Sequence, residues 1–229
     1  MLEHFETEAL IRETMYTLLL FAWVLIVVGP LTEYIYVLMR RKGISHNQAV
    51  YYNRKIIHML AGGLVSLIIP LLGYTSPTTI LPMLVLLFLA TYLPHKTGKL
   101  MYWFQDPENI NEVHFVIMWG VVMVGSWVIF GDWRFGVLPV LFMSFGDGVT
   151  GIVRNTMYNK RNKSWIGNIA MALVTVPLGY ILMNIPGALA GLASSIVEHF
   201  EIHSKVDDNI AIPLVSFSII MCSRVLGFI

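Results

Sequence analysis

Asp147 lies well inside a hydrophobic segment, where an ionisable side chain costs on the order of 2.5–3.5 kcal/mol on insertion scales. Its default reading is functional, with the side chain facing the bundle interior. The structural alternative is a neutral or paired aspartate that fixes helix packing. Gly146, Gly148 and Gly151 surround it, and the basic residues Arg154, Lys160, Arg161 and Lys163 follow. Glycines let backbone approach backbone or a phosphate closely, although small residues also pack transmembrane helices together. Lysines near backbone amide donors suit a polyphosphate, and Mg²⁺ is commonly held by one or two carboxylates plus substrate phosphates. An aspartate, glycines and lysines along one loop therefore suggest a nucleotide site. It is not a Walker A loop, because the GxxxxGK[ST] spacing does not occur.

Three other polar stretches offer partners. Asn53-Arg54-Lys55-Ile56-Ile57-His58 enters a hydrophobic segment, with Lys55 and His58 three apart on one helix face. Arg54 and Lys55 read equally well as flanking charges with snorkelling side chains. His58 lies a turn into the apolar segment, as a site residue or a packing group. The stretch Pro94–Glu112 holds His95, Lys96, Lys99, Asp106 and Glu108 around Trp103 and Phe104. Most of it reads as a solvated loop with an aromatic anchor, while Glu112 and His114 open a helix and could point into a site. Glu198 closes one apolar segment, and Asp208 and Asn209 open the last. Asp and Asn are good helix N-caps, but capping needs only one of them. With Asp147 on the same face, Glu198 and Asp208 could complete a metal-binding constellation.

These groups need a scaffold, and composition names it. Hydrophobic residues make up 56% of the 229, charged residues 13%, and mean hydropathy is +0.69. A soluble domain carries about 25% charged residues, so lipid must replace water around much of this chain. The net charge of +1 gives no global basic patch for nucleic acid. Cys222 is the one cysteine, which excludes an intrachain disulfide and a cysteine-based zinc cluster. Glu3, Glu6, Glu8 and Glu13 make the N-terminus unlike the basic start of a signal peptide.

The expected fold is all-α: a polytopic transmembrane bundle of about eight helices, seven being the other count. The apolar segments are 14–39, 56–72, 79–93, 113–130, 135–153, 165–185, a short 187–200, and 210 to the end. Backbone groups in lipid must be bonded internally, which favours helices. Twelve of the fifteen Lys and Arg fall in the connections after helices one, three, five and seven, including Arg40, Arg41, Lys42 and Lys205. The positive-inside rule puts those connections in the cytoplasm and both termini outside. No linker or internal repeat divides the chain, so residues 1–229 read as one integral membrane domain.

Together these elements resemble the CTP-dependent polyprenol kinases, the family of dolichol and phytol kinases, with which phosphatidate cytidylyltransferases are often grouped. Arg54-Lys55-Ile56-Ile57-His58 resembles the family's Arg-Lys-x-x-His element, and Gly146-Asp147 with Gly151 its Gly-Asp element. Lys163-Ser164-Trp165-Ile166-Gly167 resembles its Lys-Ser/Thr-x-Glu-Gly element. Glu198 and Asp208-Asn209 with Pro213 resemble its late Glu and Asp-Asn-x-x-x-Pro elements. Ile166 stands where the family usually has Glu, and Asn168 where it usually has Ser or Thr.

The resemblance implies transfer of the terminal phosphoryl group of CTP to an isoprenoid lipid alcohol at the cytoplasmic face, with Mg²⁺. Asp147 would hold the metal or accept the hydroxyl proton. Lys163, with Lys160 or Arg161, would clamp the triphosphate. Arg54, Lys55 and His58 would approach the phosphates or the attacking hydroxyl. Gly146, Gly151, Ser164, Gly167, Asn168 and Asn209 would line the nucleotide, and Glu198 and Asp208 would join Asp147 at the metal. The isoprenoid tail would lie between helices, among membrane lipid. The same pieces would suit a CTP:lipid-phosphate cytidylyltransferase, and a transporter with buried carboxylates is the reading from another class. A homo-oligomer stays open.

Overall fold

The computed structural model describes residues 2–158, 164–200 and 207–229. Helices account for all the regular structure among them, and seven are long and apolar enough to cross a membrane. The chain is a multi-pass, all-α membrane protein. Its internal contacts fall into two compact units, 1–120 and 121–229.

In the first unit, α1 (Leu2–Ile26) and α2 (Thr32–Arg41) join through a π-helical turn, Val27–Leu31, that contains Pro30. Proline lacks the N–H that the helical ladder needs, so the wider turn forms there. α3 (His46–Ile57) continues through a second π turn, His58–Gly63, into α4 (Leu64–Leu71). This span starts ten residues before the expected Ile56, because Ser45 caps it by accepting from the Gln48 N–H at 3.4 Å. Ile80–Thr97 is α5 and ends at Gly98, whose φ of +71° suits glycine. Helix α6, Asn111–Phe130, supplies residues to both units.

A π turn frees backbone carbonyls that lipid cannot satisfy. Tryptophans meet this need in the first unit. Trp103 Nε1 donates to the Val28 carbonyl at 2.8 Å, Trp23 Nε1 to Leu60 at 3.0 Å, and Trp119 Nε1 to Gly62 at 3.1 Å. Trp103 belongs to the stretch read from sequence as a solvated loop, and much of that stretch is packed. Phe104 is buried against Val27 and Ile57. Gln105 is buried too, donating to the Thr91 carbonyl and to Glu112 at 2.9 Å each, and His95 Nε2 meets Glu112 Oε1 at 2.6 Å. Charge density suggested solvent, but paired polar groups can be buried at little cost. Glu13 is buried likewise, accepting from the Thr75 N–H and hydroxyl at 2.7 Å each.

In the second unit, α7 (Arg134–Leu141) runs through a third π turn, Phe142–Gly146, into α8 (Asp147–Tyr158). This is the most buried of the seven spans. α9 (Trp165–Val197) reverses direction inside its own length: Met183 and Asn184 leave helical geometry, Asn184 at φ +51°. Its halves, 165–182 and 185–197, lie antiparallel, since Thr175 Oγ1 donates to the Gly191 carbonyl at 3.0 Å and Asn168 lies beside Ser195. The sixth and seventh apolar segments read from sequence are these two arms, joined by a tight corner. At about 1.5 Å per residue the return arm is only about 20 Å long, short of a hydrocarbon core of about 30 Å. The last helix, α10 (Asp208–Val225), packs on α7 and α9.

Glycines allow the arms to meet. A Cβ on Gly179 would strike the Gly187 carbonyl, one on Gly187 the Gly179 carbonyl, and one on Gly191 the Thr175 carbonyl. The fold thereby returns Glu198 to the end of α9 where Trp165 begins, and α10 starts nearby.

Candidate functional site

The second unit gathers three carboxylates from three places in the sequence. Asp147 opens α8 directly after the π turn, Glu198 follows the return arm of α9, and Asp208 opens α10. One oxygen from each lies within 4.8 Å of the others; Asp147 and Glu198 are buried and Asp208 half-buried. The N-cap of α10 is Asp207, which accepts from the Ile210 N–H at 3.2 Å. Asp208 and Asn209 are therefore not the capping residues.

Arg154 organises this cluster. Its Nη1 donates to Glu198 Oε1 at 2.7 Å, and its Nη2 to Glu198 Oε2 at 2.8 Å and to Asn168 Oδ1 at 2.7 Å. Its Nε donates to the Ser164 carbonyl at 3.1 Å. Asn168 Nδ2 completes the ring by donating to Glu198 Oε2 at 3.0 Å and to the Ser195 carbonyl. The position where the resembled family carries a hydroxyl thus holds an amide that both donates and accepts, tying α8 to both arms of α9.

Local sequence explains how these groups meet. Asp147, Thr150 and Arg154 fall at i, i+3 and i+7, one face of α8. Thr150 Oγ1 donates to the Gly146 carbonyl at 2.9 Å and the Gly167 carbonyl at 3.3 Å. Gly167 has no room for a Cβ, which would collide with Arg154 Nε. At Gly146 a Cβ would lie 2.7 Å from Thr175 Cγ2 and 3.0 Å from Met171 Cε. Close helix packing accounts for both glycines. Gly151 is buried in α8. Ile166 is exposed, whereas Gly167 and Asn168 are buried.

The expected metal group Asp147, Glu198 and Asp208 is brought together. Lys160, Arg161 and Lys163 lie outside the described residues. Arg54, Lys55 and His58 belong to the first unit, where all three are buried. There Arg54 Nη1 donates to Asn109 Oδ1 at 2.7 Å, the Lys55 ammonium sits 5.2 Å from the Tyr51 ring centre, and His58 stacks on Phe115 at 3.9 Å. His58 opens the second π turn, as Asp147 follows the third; π-helical turns are frequent at functional sites.

Sequence reading treated Arg154 as one member of a basic cluster and missed its place at the centre of the network. The available signal was its seven-residue spacing from Asp147. His199, directly after Glu198, also borders the site. Its ring stacks on Trp165 at 3.8 Å, and its Nδ1 is 3.3 Å from Asn168 Oδ1.

The donor set suits a hard divalent cation. Two oxygens on Mg²⁺ can be at most about 4.2 Å apart, given arms of about 2.1 Å, so carboxylate oxygens within 4.8 Å need only a small adjustment. Two buried neutral oxygens of the same unit, Ser144 Oγ and Asn209 Oδ1, have no hydrogen-bond partner among the described residues. Ser144 lies in the π turn before Asp147, and Asn209 beside Asp208.

No family model, curated protein or solved structure matches this chain.

Proposed function

We propose that this membrane protein is a divalent-cation-dependent kinase that transfers the terminal phosphoryl group of CTP to the hydroxyl of an isoprenoid lipid alcohol at the cytoplasmic face. The observation that carries this reading is the convergence of Asp147, Glu198 and Asp208 beside the Arg154 guanidinium. Those carboxylates sit in the sequence elements that resemble the polyprenol kinases, and they come from parts of the chain that only the α9 reversal brings together.

Phosphoryl transfer asks for positioning and charge neutralisation, with little covalent work by the protein. Mg²⁺ would supply neutralisation of the phosphate oxygens when bound. Asp147 and Asp208 are the residues to hold it, with Glu198 as the third ligand. Arg154 fixes the Glu198 carboxylate through both oxygens, and so sets the direction of its remaining lone pairs. Asp147, at the head of α8, is also the group to accept the proton of the attacking hydroxyl. The apolar exterior of the bundle leaves the lipid tail in hydrocarbon while its hydroxyl reaches the helix ends.

Purified protein in nanodiscs, given γ-labelled CTP, a polyprenol and Mg²⁺, tests this. Label should pass to the lipid, and EDTA should stop the transfer. Label found only in pyrophosphate would assign a cytidylyltransferase instead, and solute flux without nucleotide turnover would assign a transporter.

A further inference from the structure

Trp165 is the first residue of α9, one turn before Asn168, and is half exposed at 52%. His199 stacks against its ring at 3.8 Å with an interplanar angle of 16°. The same histidine is 3.3 Å from Asn168 Oδ1 through Nδ1, and Asn168 donates to Glu198. The plane of the indole is therefore tied, through two side chains, to the carboxylate cluster. Its N–H has no hydrogen-bond partner among the described residues, whereas Trp23, Trp103 and Trp119 each donate to a backbone carbonyl.

From this we infer that Trp165 is the stacking platform for the nucleotide base, a positioning residue for the donor; the inference rests on the kinase reading above. An aromatic surface fixed in plane beside a cation-binding cluster suits a ligand with a flat ring at one end and phosphates at the other. A tryptophan that only anchors the protein at the lipid interface needs no partner to fix its plane. Base stacking is tolerant of base identity, because every base presents a π face. Trp165 would thus contribute affinity for pyrimidine and purine nucleotides alike, and the choice of cytosine would lie with other groups. His199 acts through Trp165 by holding the ring.

The experiment compares the binding of CTP, UTP and inorganic tripolyphosphate to the full chain in nanodiscs, by calorimetry with Mg²⁺ and no lipid alcohol. Trp165→Ala should weaken CTP and UTP by roughly ten-fold, and Trp165→Phe by no more than about three-fold, since a smaller ring still stacks. Tripolyphosphate affinity should stay at the wild-type value in both variants. Equal losses for nucleotides and tripolyphosphate would assign a structural role and overturn the inference. Unchanged nucleotide affinity in Trp165→Ala would overturn it in favour of a membrane anchor. If wild-type protein binds no nucleotide more tightly than tripolyphosphate, the kinase reading falls, and the inference with it.

Discussion

Arg154 grips Glu198 with both terminal nitrogens, Nη1 to Oε1 at 2.7 Å and Nη2 to Oε2 at 2.8 Å, and both side chains are buried. The pair joins α8 to the far end of α9, residues that are forty-four apart in sequence. Such an ion pair holds its geometry because breaking it strands a charge away from water. Removing one partner of a buried pair costs about 3–5 kcal/mol, while removing both costs less. Arg154→Ala should therefore lower the unfolding midpoint in detergent sharply, and Arg154→Ala with Glu198→Gln should recover part of the loss. Arg154→Lys should remain impaired, since an ammonium cannot reproduce the fork. A double variant no more stable than Arg154→Ala alone would show that the pair is not coupled.

The carboxylate cluster predicts a cation requirement that resides in named residues. Asp147→Asn and Asp208→Asn should each abolish high-affinity Mn²⁺ binding measured by electron paramagnetic resonance, and should reduce turnover by at least about 10²-fold. Asn is close to isosteric with Asp, so elution profile and thermal midpoint should stay near wild type. Wild-type Mn²⁺ affinity in both variants would remove the cluster from consideration as a metal site.

The membrane environment was legible from composition, because 13% charged residues cannot clothe a soluble protein of this length, and the all-helical fold from the long apolar segments. Asp147, Glu198 and Asp208 were legible as ionisable groups in or beside apolar segments. Their meeting was legible as well, because the separate apolar segments 165–185 and 187–200 return Glu198 to the face of Asp147; the exact corner was not, because no glycine or proline at Met183 or Asn184 marks it. The corner uses Asn184 at positive φ, which asparagine tolerates better than most residues. The 94–112 stretch misled for another reason. His95 and Gln105 both meet the buried Glu112 at Oε1, and a sequence does not reveal which charges will be paired and buried. The first two π turns left no signal beyond Pro30, and the tryptophans that meet their carbonyls lie at least 37 residues away in sequence.

Those tryptophans give a third prediction. Trp119→Phe keeps a large aromatic ring but leaves the Gly62 carbonyl without the indole N–H. An unsatisfied buried acceptor costs about 1–3 kcal/mol. Trp127→Phe is the matched control, because no indole hydrogen bond of Trp127 is present among the described residues. Thermal unfolding in one detergent should show a loss for Trp119→Phe well beyond that of Trp127→Phe. Equal losses would mean that ring packing, not the hydrogen bond to the π turn, accounts for the tryptophan.

The α9 hairpin makes the last prediction, and it links packing to the site. Gly187 faces the Gly179 carbonyl so closely that a Cβ cannot be accommodated without parting the arms. The contact there is backbone, which cannot move aside as a flexible side chain would. Overpacking typically costs about 1–3 kcal/mol. Gly187→Ala should therefore destabilise the protein, whereas Gly29→Ala, with nothing within 4 Å of the added carbon, should be neutral or slightly stabilising. Parting the arms also shifts Glu198, about three helical turns from the substitution, relative to Arg154 and Asp147. Mn²⁺ affinity should fall in Gly187→Ala although no ligand has changed. A variant that loses stability but keeps full Mn²⁺ affinity would show that the site is held by Arg154 and Asn168 independently of the corner.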